Sequence, residues 1–270
     1  QSDKGQIIVP TGGGKTMCMI EDAKYRFNNT RRTIVVVAPR ILLANQLSAD
    51  FLEHITNVNV LHVHSGETHH TSTTKPEEIK TFCIYPLHLH TIIFTTYHSL
   101  HRIQEADIDV DTIYFDEAHN SVQRNFIEAV EYYSMYAKRS YFFTATPKHS
   151  RTPKKIGMND TDIFGGVICN VPAPKLVDEG HILPPKVMVK KIDVTDDSRF
   201  GYEKDCDHII DTIDDIDLDK ILICARSTKQ IVNLIGLSKF ANELAWRGYS
   251  YMFITSKTGG IIDGKKVTRE

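Results

Sequence analysis

Eight residues near the start of the chain, Val9-Pro10-Thr11-Gly12-Gly13-Gly14-Lys15-Thr16, have the types and order of a phosphate cradle. An apolar segment, Gln6 to Val9, precedes them and a helical pattern from Thr16 to Asn28 follows. That strand–loop–helix context is what such a loop requires. Three consecutive glycines let backbone N–H groups turn toward phosphate oxygens, and the helix N-terminus adds partial positive charge. Lys15 has the reach for the β- and γ-phosphates of a nucleoside triphosphate, and the Thr16 hydroxyl suits Mg²⁺. The strict form of the loop has glycine where this chain has Val9.

A second constellation, Asp116-Glu117-Ala118-His119, directly follows the strand-like Thr112 to Phe115. A carboxylate at the carboxyl end of a parallel strand faces the ligand crevice. Asp116 is the candidate for Mg²⁺, through water, and Glu117 the candidate for orienting and deprotonating an attacking water. Taken alone, the loop also suits a phosphate-transferring kinase. The Asp-Glu-Ala-His sequence together with Thr144-Ala145-Thr146 stands against that.

The elements that must position these residues follow from periodicity. Thr33 to Ala38 is a β-branched run that reads as a buried parallel strand. Asn59 to Val63, Ile92 to Thr95, Thr112 to Phe115 and Tyr141 to Thr144 read as further strands. Ile41 to Ile55 has helical spacing, and Ser65 to Lys80, polar and threonine-rich, reads as a loop. Repeated strand-then-helix order predicts an α/β fold with a parallel sheet covered on both faces. After Pro147 the texture changes, with a loop over Arg151 to Asp162 and a short helix from Pro174 to Gly180. Val187 to Ile192 and Ile221 to Cys224 read as strands, Glu203 to Ile216 and Lys229 to Arg247 as helices, and Tyr251 to Thr255 as a last strand. This second unit lacks the elements to close a sheet, so proteolysis is expected first within Arg151 to Asn159 or after Asp193.

Together these residues resemble superfamily 2 helicases of the DEAH type. The loop, the Asp-Glu-Ala-His box and Thr144-Ala145-Thr146-Pro147 are similar to motifs I, II and III in order. Val35 to Arg40 resembles motif Ia, Phe94-Thr95-Thr96-Tyr97 the next motif that touches nucleic acid, and Ile221 to Ser227 motif IV. Ile163-Phe164-Gly165 with Val177 to Pro184 is similar to the segment after motif III in restriction-enzyme translocase subunits and their viral and repair-helicase relatives. The resemblance implies a RecA-like lobe with a P-loop over residues 1–155, and an inter-lobe segment with a partial second RecA-like lobe over 156–270. It implies ATP and Mg²⁺ as cofactors, DNA or RNA as partner through its backbone, and an ATP-dependent helicase or translocase. Restriction-endonuclease motor subunit and ATP-dependent nucleic-acid clamp are the alternatives. By this resemblance His119, Thr144 and Thr146 would couple nucleotide state to the strand site, and Arg40 and Thr96 would touch the strand. The family's glutamine motif is expected before Gln1, and motifs V and VI after Glu270. The chain by itself is therefore expected to bind ATP and hydrolyse it poorly.

Composition is consistent with this and excludes other classes. The chain has 270 residues, 41% of them hydrophobic, enough for a core rather than general disorder. No apolar run approaches the roughly 20 residues of a membrane span. Five scattered cysteines with no CxxC pair argue against a disulfide framework or cysteine zinc site, and for an intracellular, reducing compartment, cytoplasm or nucleus, in a cellular or a viral protein. Net charge is −2, but Tyr132 to Asn159 holds six bases and no acid, and Asp193 to Asp219 holds eleven acids. The basic run flanks Thr144 to Thr146 and so is a candidate strand path. The histidines His62, His64, His69, His70, His88 and His90, with Cys83, match no structural zinc spacing and read as polar loop composition.

Overall fold

The computed structural model describes residues 3–27, 31–85, 89–152, 154–184, 186, 187, 189, 191, 199–216, 220–255 and 259–267. The chain forms two compact units, Gln1–Lys186 and Val187–Glu270.

The first unit is built on seven strands: β1 (Lys4–Ile8), β2 (Thr33–Ala38), β3 (Val58–Val63), β4 (His90–Thr96), β5 (Thr112–Phe115), β6 (Arg139–Thr144) and β7 (Gly166–Asn170). They form one sheet in the order β3-β4-β2-β5-β6-β1-β7, every pairing parallel. Strand side chains alternate between two cores, as a pleat of period two demands. Ile34, Val36 and Ala38 of β2 face a core shared with Tyr114, Phe143, Met19, Ile20, Leu47 and Phe51. Val35 and Val37 face the opposite core, with Ile113, Phe115, Phe142, Ile79, Ile103 and Val130. Helices α1 (Lys15–Arg26) and α2 (Ile41–His54) therefore cover one face. Helices α3 (Pro76–Ile84), α4 (Leu100–Glu105), α5 (Ile127–Tyr136) and α6 (Thr161–Phe164) cover the other. The architecture is the covered parallel α/β sheet that the strand–helix alternation predicts, and matches the RecA-like lobe that the resemblance implies.

Three features of the first unit differ from the sequence expectation. Helix α3 occupies the end of the expected polar loop, starting with Pro76 in its first turn and Glu77 and Glu78 behind it. Both features favour a helix start, through a fixed φ and the dipole. Strand β7 joins the sheet beside β1 and carries the first unit past residue 155, on to Lys186. Gln6 helps to seat this return: its buried Nε2 donates to the carbonyls of Met158 (2.8 Å) and Gly165 (3.0 Å). His62 and His64 are buried rather than part of a polar loop. His62 Nδ1 lies 3.0 Å from His64 Nε2, and its Nε2 lies 3.0 Å from Ser48 Oγ. Burial first, then the neighbouring rings of His64 and His70, lower the His62 pKa to about 4, so it is a neutral core side chain at pH 7. Among the described residues no cluster of three or more His, Cys, Asp or Glu could hold a metal ion, and His88 lies outside them.

In the second unit α7 (Gly201–Asp215), α8 (Thr228–Leu237) and α9 (Phe240–Trp246) enclose Cys206, Ile210, Ile213, Leu234, Phe240 and Leu244. Strands β8 (Met252–Thr255), β9 (Gly259–Ile262) and β10 (Lys265–Val267) form an antiparallel sheet. The helix expected over Lys229 to Arg247 is two helices. Ser238 breaks it, its Oγ donating to the Leu234 carbonyl and accepting from the Phe240 N–H. Ile221 to Cys224 is not a strand, and Leu222 there is 88% exposed. The strand expected over Val187 to Ile192 falls largely outside the described residues.

Candidate active site

In a wholly parallel sheet every strand delivers its following loop to one edge. The loops after β1, β2, β4, β5 and β6 carry Gly12 to Gly14, Arg40, Tyr97, Asp116-Glu117 and Thr146 respectively, Lys15 and Thr16 open α1 directly behind the first, and Thr96 and Thr144 close β4 and β6 themselves. Sheet order sorts them: the glycine loop lies next to Thr144, which lies next to the acids, and Arg40 and Thr96 follow on the far side.

The glycine loop is a tight turn leading into α1. Gly13 N–H donates to the Pro10 carbonyl at 3.0 Å, and Val9 N–H donates to the Thr144 carbonyl at 3.0 Å. Gly12 (φ 79°) and Gly14 (φ 87°) take left-handed conformations that side chains disfavour. A Cβ at Gly13 would come within 2.6 Å of Val9 Cγ1 and 2.9 Å of Leu176 Cδ1, so Val9, in place of the usual glycine, packs under the loop. A Cβ at Gly14 would meet nothing within 4 Å: the loop is closed beneath and open toward the crevice. Helix α1 begins at Lys15 with no side-chain cap, leaving its first N–H groups free for an anion.

Lys15 Nζ lies 3.7 Å from Glu117 Oε1 and 3.4 Å from the Val9 carbonyl. The loop and the acidic pair thus meet across the strand end. Asp116 is buried enough that desolvation, reinforced by Glu117, raises its carboxyl pKa to about 6. A half-buried carboxylate beside a second acid gains from a cation, so the chemistry of Asp116 suits a divalent metal. Glu117 adopts φ 45°, ψ 53°, a left-handed backbone, and leads into a single 3-10 turn, Ala118–Asn120. His119 Nδ1 lies 3.4 Å from Glu117 Oε2 and 3.1 Å from Thr144 Oγ1, and Thr144 Oγ1 accepts from Thr146 N–H at 3.1 Å. The structure therefore brings together Lys15, Glu117, His119, Thr144 and Thr146.

It separates others. Arg40 is exposed at the start of α2, but Thr96 is only 4% exposed, its hydroxyl turned toward Ser99 Oγ at 3.4 Å. The basic run is divided. Lys138 and Arg139 lie at the opposite, amino-terminal edge of the sheet, paired with Asp109 and Asp111. Lys148, Arg151, Lys154 and Lys155 follow the Thr144 edge. One residue at the site carries no chemical signature in the sequence pattern: Tyr97, whose hydroxyl donates to the Asp116 carbonyl at 2.9 Å. Its place just after a strand is the only signal it gives in sequence.

Comparison with known proteins agrees with the fold. The chain is similar in fold to a nuclease-deletion mutant of the Type ISP restriction-modification enzyme LlaGI in complex with a DNA substrate mimic (19% identity, TM-score 0.54, 80% of this chain and 21% of that one). It is also similar to the ATP-dependent Type ISP enzyme LlaBIII bound to DNA (20%, TM-score 0.54, 66% and 14%). A third likeness is to the Hef helicase domain of Pyrococcus furiosus (20%, TM-score 0.50, 92% and 51%). The chain thus spans from about a seventh to half of the length of these proteins. No curated relative matches it in sequence. The family model described as "Type III restriction enzyme, res subunit" matches residues 1–149, and the chain belongs to that family.

Proposed function

We propose that this chain is the ATP-hydrolysing part of a superfamily 2 motor, a helicase or translocase that moves along nucleic acid. The observation that carries the reading is the meeting of Lys15 with Glu117 at 3.7 Å, beside the half-buried Asp116, at the carboxyl edge of a parallel sheet. Gly12 to Gly14 and the first turn of α1 would cradle the triphosphate through N–H groups, with Lys15 on its terminal phosphates. Thr16 and Asp116 would hold Mg²⁺, which supplies charge neutralisation on the phosphates when bound. Glu117 would orient a water and accept its proton, while Lys15 draws the developing phosphate charge. His119, Thr144 and Thr146 form a hydrogen-bonded line from Glu117 along the edge and would report the nucleotide's state.

Arg40 is exposed and free to meet a phosphodiester backbone, a contact that positions without reading sequence. Thr96 would contribute through its backbone loop, since its hydroxyl is buried. The DNA complexes of LlaGI and LlaBIII make DNA the first polymer to test. Family membership favours, as a second reading, the motor subunit of a restriction system. The second unit would then be part of a second motor lobe. ATP turnover by the full-length protein, with and without DNA, tests the proposal: stimulation by DNA is expected, and turnover indifferent to DNA and RNA alike would refute a motor.

A further inference from the structure

Tyr97 follows β4, yet its phenol ends at β5. Strand β2 lies between them in the sheet, so the side chain reaches across the end of a whole strand. Its hydroxyl donates to the Asp116 carbonyl at 2.9 Å and accepts from Ser121 Oγ at 3.3 Å. Its own N–H donates to the Ala38 carbonyl at 3.2 Å, two residues before Arg40. The ring is 2% exposed and stacks on Phe115 and Phe126. A carbonyl can only accept, so the phenol is the donor in the contact with Asp116.

On the other side of Glu117, Asn120 Nδ2 and Asn120 N–H donate to the Glu117 carbonyl at 2.9 and 3.0 Å. Both peptide groups that flank the Glu117 Cα are therefore held, the first through the Asp116 carbonyl and the second through its own. Between them Glu117 sits in the left-handed region, which a residue with a Cβ leaves readily unless its surroundings fix it. The direction of the carboxylate, toward Lys15 and His119, follows from that backbone.

We infer that Tyr97 is a positioning residue which, with Asn120, clamps the two peptides around Glu117 and ties the carboxylate to the chain segments that follow β2 and β4. The inference rests on the reading of Glu117 as the base. Its test is Tyr97→Phe in the full-length protein, which removes the hydroxyl and keeps the ring packing. Expected is a fall in kcat for ATP hydrolysis of about ten- to a hundredfold, as for other sub-ångström misplacements of a reacting group. KM for ATP and equilibrium ATP affinity should stay near wild type, because the glycine loop is untouched. A purely core-filling Tyr97 predicts kcat unchanged, because Phe retains the ring packing on Phe115 and Phe126. Asn120→Ala, at a half-buried position, should show the same fall in kcat and serves should Tyr97→Phe not fold. A wild-type kcat in both variants, with Glu117→Gln inactive, overturns this inference alone. Hydrolysis that survives Glu117→Gln overturns the base assignment, and this inference with it.

Discussion

His119 Nδ1 stands 3.1 Å from Thr144 Oγ1, joining the loop after β5 to the end of β6. Asn120 Nδ2 lies 3.3 Å from His119 Nε2 and, as donor, leaves the neutral ring's proton on Nδ1. That proton faces both the Thr144 hydroxyl and Glu117 Oε2. Removing the ring in His119→Ala should leave ATP affinity nearly intact and lower the DNA-stimulated ATPase more than the unstimulated rate. Steady-state rates with and without DNA check this, and an unchanged ratio would remove His119 from the coupling path.

Asp116 links function to pH. Its carboxyl is raised from 3.8 to about 6, so between those values the folded state holds more protons than the unfolded one. Stability from this group is therefore present at low pH and lost as pH rises through 6. At neutral pH the charged carboxylate is a liability, and Asp116→Asn should stabilise the fold by about 1–3 kcal/mol. The same variant should lose Mg²⁺-dependent ATP binding. In wild type that binding should weaken as pH falls through 6, because a metal ligand must be deprotonated. Melting temperature and ATP titrations at pH 7.5 and 5 test both halves; a destabilised Asp116→Asn at pH 7.5 would contradict them.

Glu117→Gln keeps the shape of the side chain and cannot accept a proton. Hydrolysis should drop by about 10²- to 10⁴-fold with ATP affinity retained. Lys15→Ala should do the reverse first, weakening ATP binding by about 1.5–3 kcal/mol through loss of a charged hydrogen bond. Isothermal titration beside single-turnover rates separates the two patterns.

Arg40 and Thr96 now predict different outcomes. Exposed Arg40, changed to Ala, should weaken binding to every strand sequence alike and lower the slope of log affinity against log salt by about one unit. Thr96→Val, at a buried hydroxyl, should leave that slope unchanged. Titrations at four salt concentrations decide, and an unchanged Arg40→Ala slope would exclude the phosphate contact.

Gly5 sits where β1 and β7 pair. A Cβ there would fall 2.5 Å from Ile168 Cγ1 and 2.6 Å from the Gly166 carbonyl oxygen, a backbone atom that cannot step aside alone. Gly5→Ala should destabilise the first unit by about 1–3 kcal/mol, the usual range for overpacking. The urea midpoint reads this directly; a midpoint equal to wild type would show that β7 yields.

Local chemistry was legible in the sequence, and non-local pairing was not. Val9 to Thr16 and Asp116 to His119 announce themselves because loop, strand and helix signals are contiguous there. Thr33–Ala38 and Thr112–Phe115 are strands with the bounds their β-branched and aromatic runs suggest. Strand β7, by contrast, is five exposed residues that become a strand by pairing with β1, some 160 positions earlier in the chain. The Ser238 break was hidden by an apolar pattern that continues in phase on both sides of it. Thr96 looked available because it ends a strand, but β4 lies inside the sheet and its last residue is covered.

The sheet order also dictates when the site can form during synthesis. Strand β1 emerges first, yet its pairing partners are β6 and β7, with Ile8 opposite Thr144 and Asn170. The strand that carries the glycine loop must wait, unpaired, while the roughly 130 residues up to β6 are made, on the order of 10 s at ordinary rates of translation. Strands β2, β3, β4 and β5 can assemble among themselves in that interval. A ribosome stalled before residue 139 is exposed should hold a nascent chain in which those four strands are protected from protease and β1 is not. Nucleotide capture is in this sense the last act of folding, so ATP can act as a stabiliser of the finished lobe and not as a template for it.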